Sequence, residues 1–153
     1  MNSNSNLKNL LKQQCQEYIN DRLLRIKKTI SDIQESLNSE TKSTAGDKHE
    51  TGRAMLQLER EKAGAQLAEV EKLQAALNKV ETSKNYDTVG LGSVVKCNTA
   101  NYYISVSAGV VTYNSENFFA IAPNTPIGKL ILGKKENDTI HFNGREIVIE
   151  HIL

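Results

Sequence analysis

The sequence predicts an α+β protein: an N-terminal antiparallel coiled-coil hairpin, then a small, mostly antiparallel sheet domain carrying one short helix. Three observations predict it. Apolar residues step by three and four from Leu7 to Val80, β-branched and aromatic runs of strand length replace that pattern after Thr88, and Asn143-Gly144 separates two alternating segments near the C-terminus.

The first helix is read from Leu7, Leu11, Cys15 and Ile19, continued by Leu23, Ile26, Ile30, Ile33 and Leu37, the seam of a helix packed lengthwise on another. A second stripe comprises Leu56, Ala63, Leu67, Val70, Leu77 and Val80. Glu59, Arg60, Glu61, Lys62, Glu69, Glu71 and Lys72 supply its solvated face. Between the stripes, the polar segment from Asn38 to Gly52 interrupts both helices and folds them back on each other. The expected division is therefore a hairpin over residues 1–83 with its tip near 39–52, a linker at 84–88, and a second domain over 89–153.

In the second domain, Val89–Cys97, Tyr102–Val106 and Phe118–Ala122 read as strands. Pro126 to Gly133 reads as a short helix with proline at its first turn and glycine at its end. The closing pair, "TIHF" and "REIVIEHIL" around Asn143-Gly144, predicts a hairpin on a type I′ turn, because both turn residues tolerate positive φ.

Composition narrows the chemistry. A net charge of +1 offers no general attraction to nucleic acid. No run is long and apolar enough to span a bilayer, and the first residues lack a secretory pattern, so a cytoplasmic protein without membrane contact is expected. Cys15 and Cys97 form no CxxC pair, and His49, His141 and His151 have no metal-ligand spacing. Gly90-Leu91-Gly92 lacks the third glycine and following helix of a dinucleotide fingerprint. What remains is Asp47-x-x-Glu50 at the start of the second helix, which has the spacing of a capping box.

The stretches "VGLGSVVKC" and "NTPIGKLILGKKENDTIHFNGREIVIEHI" resemble the C-terminal signature of the bacterial Gre transcript-cleavage factors. Thr125-Pro126-Ile127 stands for that family's serine-proline-isoleucine turn, and Asn137-Asp138 for its glycine-aspartate. The order of long helix, polar tip, long helix and sheet domain extends the likeness over nearly the whole chain. The resemblance implies an FKBP-like C-terminal fold and an accessory factor, not itself an enzyme, whose partners are RNA polymerase and the nascent RNA 3′ end inside it. It implies that Asp47 and Glu50, in the arrangement Gly-Asp-x-x-Glu, enter the polymerase secondary channel. There they would complete an Mg²⁺ site shared with the enzyme and stimulate cleavage of backtracked RNA.

By the same resemblance Asn124, Thr125 and Pro126 dock on the polymerase. Lys42, Lys48 and Arg53 surround the acids, where their charges either approach RNA phosphates or simply solubilise the loop. The family's asparagine-alanine-glutamate-tyrosine run is replaced by Thr51-Gly52-Arg53-Ala54, which removes a third acid. A noncatalytic regulator or inhibitor acting through the same channel is the alternative. A prolyl isomerase follows from the FKBP-like analogy alone, and fold does not fix function.

Overall fold

A computed structural model describes residues 3–42 and 46–153, with side chains described outside residues 40–49. Helix α1 spans Ser3–Lys42 and α2 spans Gly46–Asn78. They are followed by strands β1 (Val94–Cys97), β2 (Asn101–Ile104), β3 (Gly109–Tyr113) and β4 (Glu116–Ile121), helix α3 (Pro126–Ile131), and strands β5 (Thr139–Phe142) and β6 (Arg145–Ile152). The protein is α+β. Its six strands form one sheet in the order β3-β4-β2-β1-β6-β5, antiparallel throughout except for the parallel pair β2 and β4.

By internal contacts the chain divides into two compact units, residues 19–73 and residues 1–18 with 74–153. Among the described residues of 19–73 the buried ones are Ile19, Ile26 and Ile33 on α1, and Ala63 and Val70 on α2. Each recurs every seven residues, the period of a narrow helix seam. Burying one residue per two turns leaves the other faces to water, which is why charged side chains dominate this unit.

In the other unit α1 keeps a different rhythm. Leu7, Leu11 and Cys15 are buried at steps of four, and Lys8 is buried among them. Cys15 lies 3.7 Å from Ser105 Oγ, which sets this part of α1 against the sheet face that also carries Tyr103, Phe118 and Ala120. On the opposite face Val95, Ile104, Ile140, Ile147, Ile149 and Ile152 form a core closed by Ile131 of α3. The alternation of the strands thus feeds two apolar layers, one on each side.

The C-terminal hairpin forms as its sequence predicts, with Phe142 paired to Arg145 and positive φ at Asn143 (52°) and Gly144 (75°). Helix α3 starts at Pro126, and Gly133 has φ 80° just beyond it. Four strand assignments change, one of them slightly, since the strand expected at Phe118–Ala122 runs from Glu116 to Ile121. The expected strand from Val89 begins only at Val94, because Gly92 takes φ 97° in a turn, and Val89 instead exchanges backbone hydrogen bonds with Gly133 and Lys134. Strand β2 ends at Ile104 instead of reaching Val106. Strand β3 was not expected; it joins β4 through Asn114-Ser115, a two-residue turn with φ 49° and 66°. The two long helices also run further into the polar segment than its composition suggests, since residues 39–42 and 46–52 are helical.

Candidate functional site

Helix α2 begins at Gly46, so Asp47 and Glu50 both lie in its first turn. Residues three apart sit about 60° apart around a helix, so the two positions lie on one side of it. The first turn of a helix exposes unsatisfied N–H groups and favours negative charge, which suits both acids whether they cap the helix or bind a cation. Glu50 is exposed, and so is Arg53, three residues further on. The side chains of Lys42, Asp47 and Lys48 lie outside the described residues, as does the capping geometry of Asp47. Asp47 stands 27 positions before Gln74 in the sequence of the same helix.

At Gln74 the helix is fixed by a reciprocal amide pair with Gln16, at 2.6 and 2.8 Å. Lys12 Nζ donates to the carbonyl of Val80 at 2.8 Å, placing a cation where the last carbonyls of α2 concentrate negative charge. Lys8 Nζ donates to the carbonyl of Lys84 at 2.7 Å and lies 4.7 Å from the centre of the Tyr86 ring. Burial lowers the Lys8 ammonium to about 8. Tyr86 in turn donates its hydroxyl to the carbonyl of Leu91. A side chain on Gly92 would meet that hydroxyl at 2.7 Å, so glycine is required there by both space and φ. The sequence signal for Lys8 is its place beside Leu7 and before Leu11: a lysine in a buried phase implies that something polar lies opposite.

The turn Asn124-Thr125-Pro126 is built as a helix entry. Thr125 has φ −72° and ψ 160°, its Oγ1 accepts from Gly128 N–H at 3.1 Å, and its hydroxyl donates to the Ala122 carbonyl at 2.8 Å. Asn124 and Pro126 are exposed, while Thr125 is half-buried by this bonding. The turn is tied to the helix start through Thr125 and exposes Asn124 and Pro126.

Other chemistry finds little support. Cys15 and Cys97 are free, buried thiols. Burial, and secondarily Glu150, pushes Cys97 up to about 11; burial also raises Cys15, partly offset by Ser105. Thiols held in the neutral form are poor nucleophiles. His141 and His151 are exposed on β5 and β6, while the His49 side chain lies outside the described residues. Among the described residues no group of three His, Cys, Asp or Glu side chains could hold a metal ion. Among them too, no helix is long and apolar enough to cross a membrane. No family model matches the chain, and no curated protein matches it.

Proposed function

We propose that the chain is a Gre-like accessory factor of RNA polymerase that delivers the Asp47 and Glu50 carboxylates to the polymerase active centre and stimulates cleavage of backtracked RNA. The observation that carries this reading is the position of both acids in the first turn of α2, far along that helix from its Gln16 contact. An antiparallel coiled-coil hairpin is supported by two contacts. Gln16 meets Gln74, and Arg22, Arg25, Ile26 and Thr29 share a cleft with Gln66, so numbering rises on α1 as it falls on α2. The FKBP-like reading of the second domain draws on the mixed sheet with its short helix, and Asn124, Thr125 and Pro126 would form the docking edge on the polymerase.

The donor set fits a hard cation. Two carboxylates suit Mg²⁺, yet two side chains cannot fill its octahedral shell, so the remaining ligands belong to the partner enzyme and to water. When bound jointly, the ion supplies charge stabilisation for in-line phosphodiester hydrolysis. Asp47 contributes the oxygen ligand, and Glu50 orients the attacking water or accepts its proton. Arg53, with Lys42 and Lys48, offers positive charge to the RNA phosphates.

The test uses purified backtracked polymerase complexes. Asp47 lies inside the first turn of α2, where Asn forfeits only the interaction of one charge with the helix dipole, about 0.3–1 kcal/mol, so Asp47→Asn largely preserves stability and polymerase binding. Glu50→Gln is expected to slow release of 3′ RNA fragments by about 10 to 100-fold, and Asp47→Asn by more. Unchanged cleavage in Asp47→Asn rejects the catalytic assignment. Inhibition by the parent protein without fragment release selects the noncatalytic regulator, which the replacement of the third acid by Arg53 favours.

A further inference from the structure

The segment between α2 and β1 spends its hydrogen-bond acceptors and leaves its donors over. The carbonyls of Val80 and Lys84 accept from Lys12 Nζ and Lys8 Nζ at 2.8 and 2.7 Å, that of Gly90 accepts from the Ser93 hydroxyl at 2.7 Å, and that of Leu91 accepts from the Tyr86 hydroxyl. Among the described residues, by contrast, no backbone N–H from Glu81 through Thr88, nor that of Leu91, has a partner in the chain. A cleft of about 360 Å³ opens on this segment, and Lys79, Glu81, Lys84, Tyr86, Thr88 and Leu91 are among its lining residues. Lys79 and Lys84 are exposed, and neither forms an ion pair among the described residues. Lys8 Nζ lies 4.7 Å and Lys84 Nζ 5.2 Å from the centre of the Tyr86 ring, so positive charge also gathers against that wall. Glu81 is the one carboxylate among the lining residues described.

We propose that this cleft binds a small phosphorylated molecule, its phosphate held by the ammonium groups of Lys79 and Lys84, the Thr88 hydroxyl and unpaired N–H groups of the 81–88 segment. A site rich in donors and short of free acceptors selects a ligand that brings acceptors, and a phosphate dianion brings them with charge. Successive backbone N–H groups outside helices and strands cradle phosphate in many folds. Lysine meets phosphate as a point charge on a flexible stem, so it needs no fixed fork geometry to bind. The two lysines outweigh Glu81, which opposes the anion and sets a ceiling on affinity. The volume falls at the low end for small-molecule sites and exceeds what a phosphate alone fills, so the group it carries is small and packs against the Tyr86 ring. This inference is independent of the polymerase reading.

Amide chemical-shift titration of the full chain, near neutral pH and at constant ionic strength, tests it, with inorganic phosphate and glycerol 3-phosphate as probes and chloride as the reference anion. Shifts are expected to concentrate on Glu81 to Thr88 and Leu91 and to saturate with either probe. The ester is expected to bind more tightly; equal affinities would overturn the organic part of the ligand and leave the free ion. Lys79→Gln and Lys84→Gln should each weaken binding about fivefold, and Glu81→Gln should tighten it by about the same factor. Lys27→Gln, which removes the same charge from α1 outside the cleft, should leave binding unchanged. Circular dichroism confirms that the variants fold. Shifts that never saturate, lysine variants that bind as well as the parent, or a Lys27→Gln variant that loses as much as they do would each overturn the proposal.

Discussion

Gln14 closes the free edge of β3: its Nε2 donates to the Thr112 carbonyl at 2.5 Å, and its Oε1 accepts from the Thr112 N–H at 2.9 Å. One side-chain amide thus imitates a neighbouring strand for one residue. Sheet edges left open invite pairing with other chains, and this contact blunts the edge with a side chain from α1. Gln14→Ala is expected to lower stability by about 1 kcal/mol and to increase aggregation on heating. Urea denaturation and light scattering measure the two effects, and Gln14→Glu should be worse, since a carboxylate would face the Thr112 carbonyl.

Lys8 gives the fold an alkaline signature. Its ammonium titrates at about 8 in the folded protein against 10.5 in an exposed chain, with burial as the cause. Between those values the unfolded state binds the proton and the folded state does not, so stability rises with pH across that window. Cys97 works the other way. Held up to about 11, it keeps its proton in the fold after an unfolded thiol has lost it, so stability falls as pH passes from about 9 to 11. The difference between the parent and Lys8→Met isolates the lysine. Urea midpoints taken from pH 7 upward should show the parent gaining on the variant from about pH 8 onward.

Tyr103 is fully buried, and among the described residues its hydroxyl is the buried side-chain polar atom left without a hydrogen-bond partner. Removing a buried, unpaired hydroxyl while keeping the ring relieves a desolvation cost. Tyr103→Phe is therefore expected to stabilise the protein by about 1 kcal/mol. A raised thermal midpoint would bear this out, and a lowered one would mean that the hydroxyl has a partner in solution.

Gly128 is held by crowding. A Cβ there would stand 2.5 Å from the Ala122 carbonyl and 2.7 Å from Thr125 Oγ1. Gly128→Ala should cost about 2 kcal/mol or more by displacing the turn, whereas Thr125→Ser, which keeps the cap, should cost little. Denaturant midpoints of the two variants separate crowding from loss of a hydroxyl.

Where a local signal was strong, sequence and structure agree. Asn143-Gly144 produced its hairpin because both residues reach positive φ cheaply, and from Ile19 to Val70 the apolar stripes of the long helices are buried at every second position, with Leu23, Ile30, Leu37, Leu56 and Leu67 left half-buried. Asn114-Ser115 makes a turn of the same hand, yet serine has no special tolerance for a φ of 66°, so nothing local announced β3. Val89 lies outside β1 although its run is β-branched, because such residues mark a pleated, half-buried place without naming the partner. Its backbone pairs with the segment after α3, a long-range contact that no local run encodes. Gln14 was silent for a similar reason: a glutamine next to Cys15 reads as solvated until Thr112 is brought to it. Asp47 and Glu50 were legible as a spaced pair, and their place in the first turn of α2 follows from where the helix restarts.

The sevenfold spacing of Ile19, Ile26 and Ile33, matched by Ala63, Val70 and Leu77, makes part of the chain modular in length. A block of seven residues added after Ile33, with another before Ala63, keeps every buried position in phase and extends each helix by about 10 Å. A block of any other small size turns the downstream stripe away from its neighbours. An engineer wishing to alter the reach of α2 therefore has a ruler whose divisions are heptads.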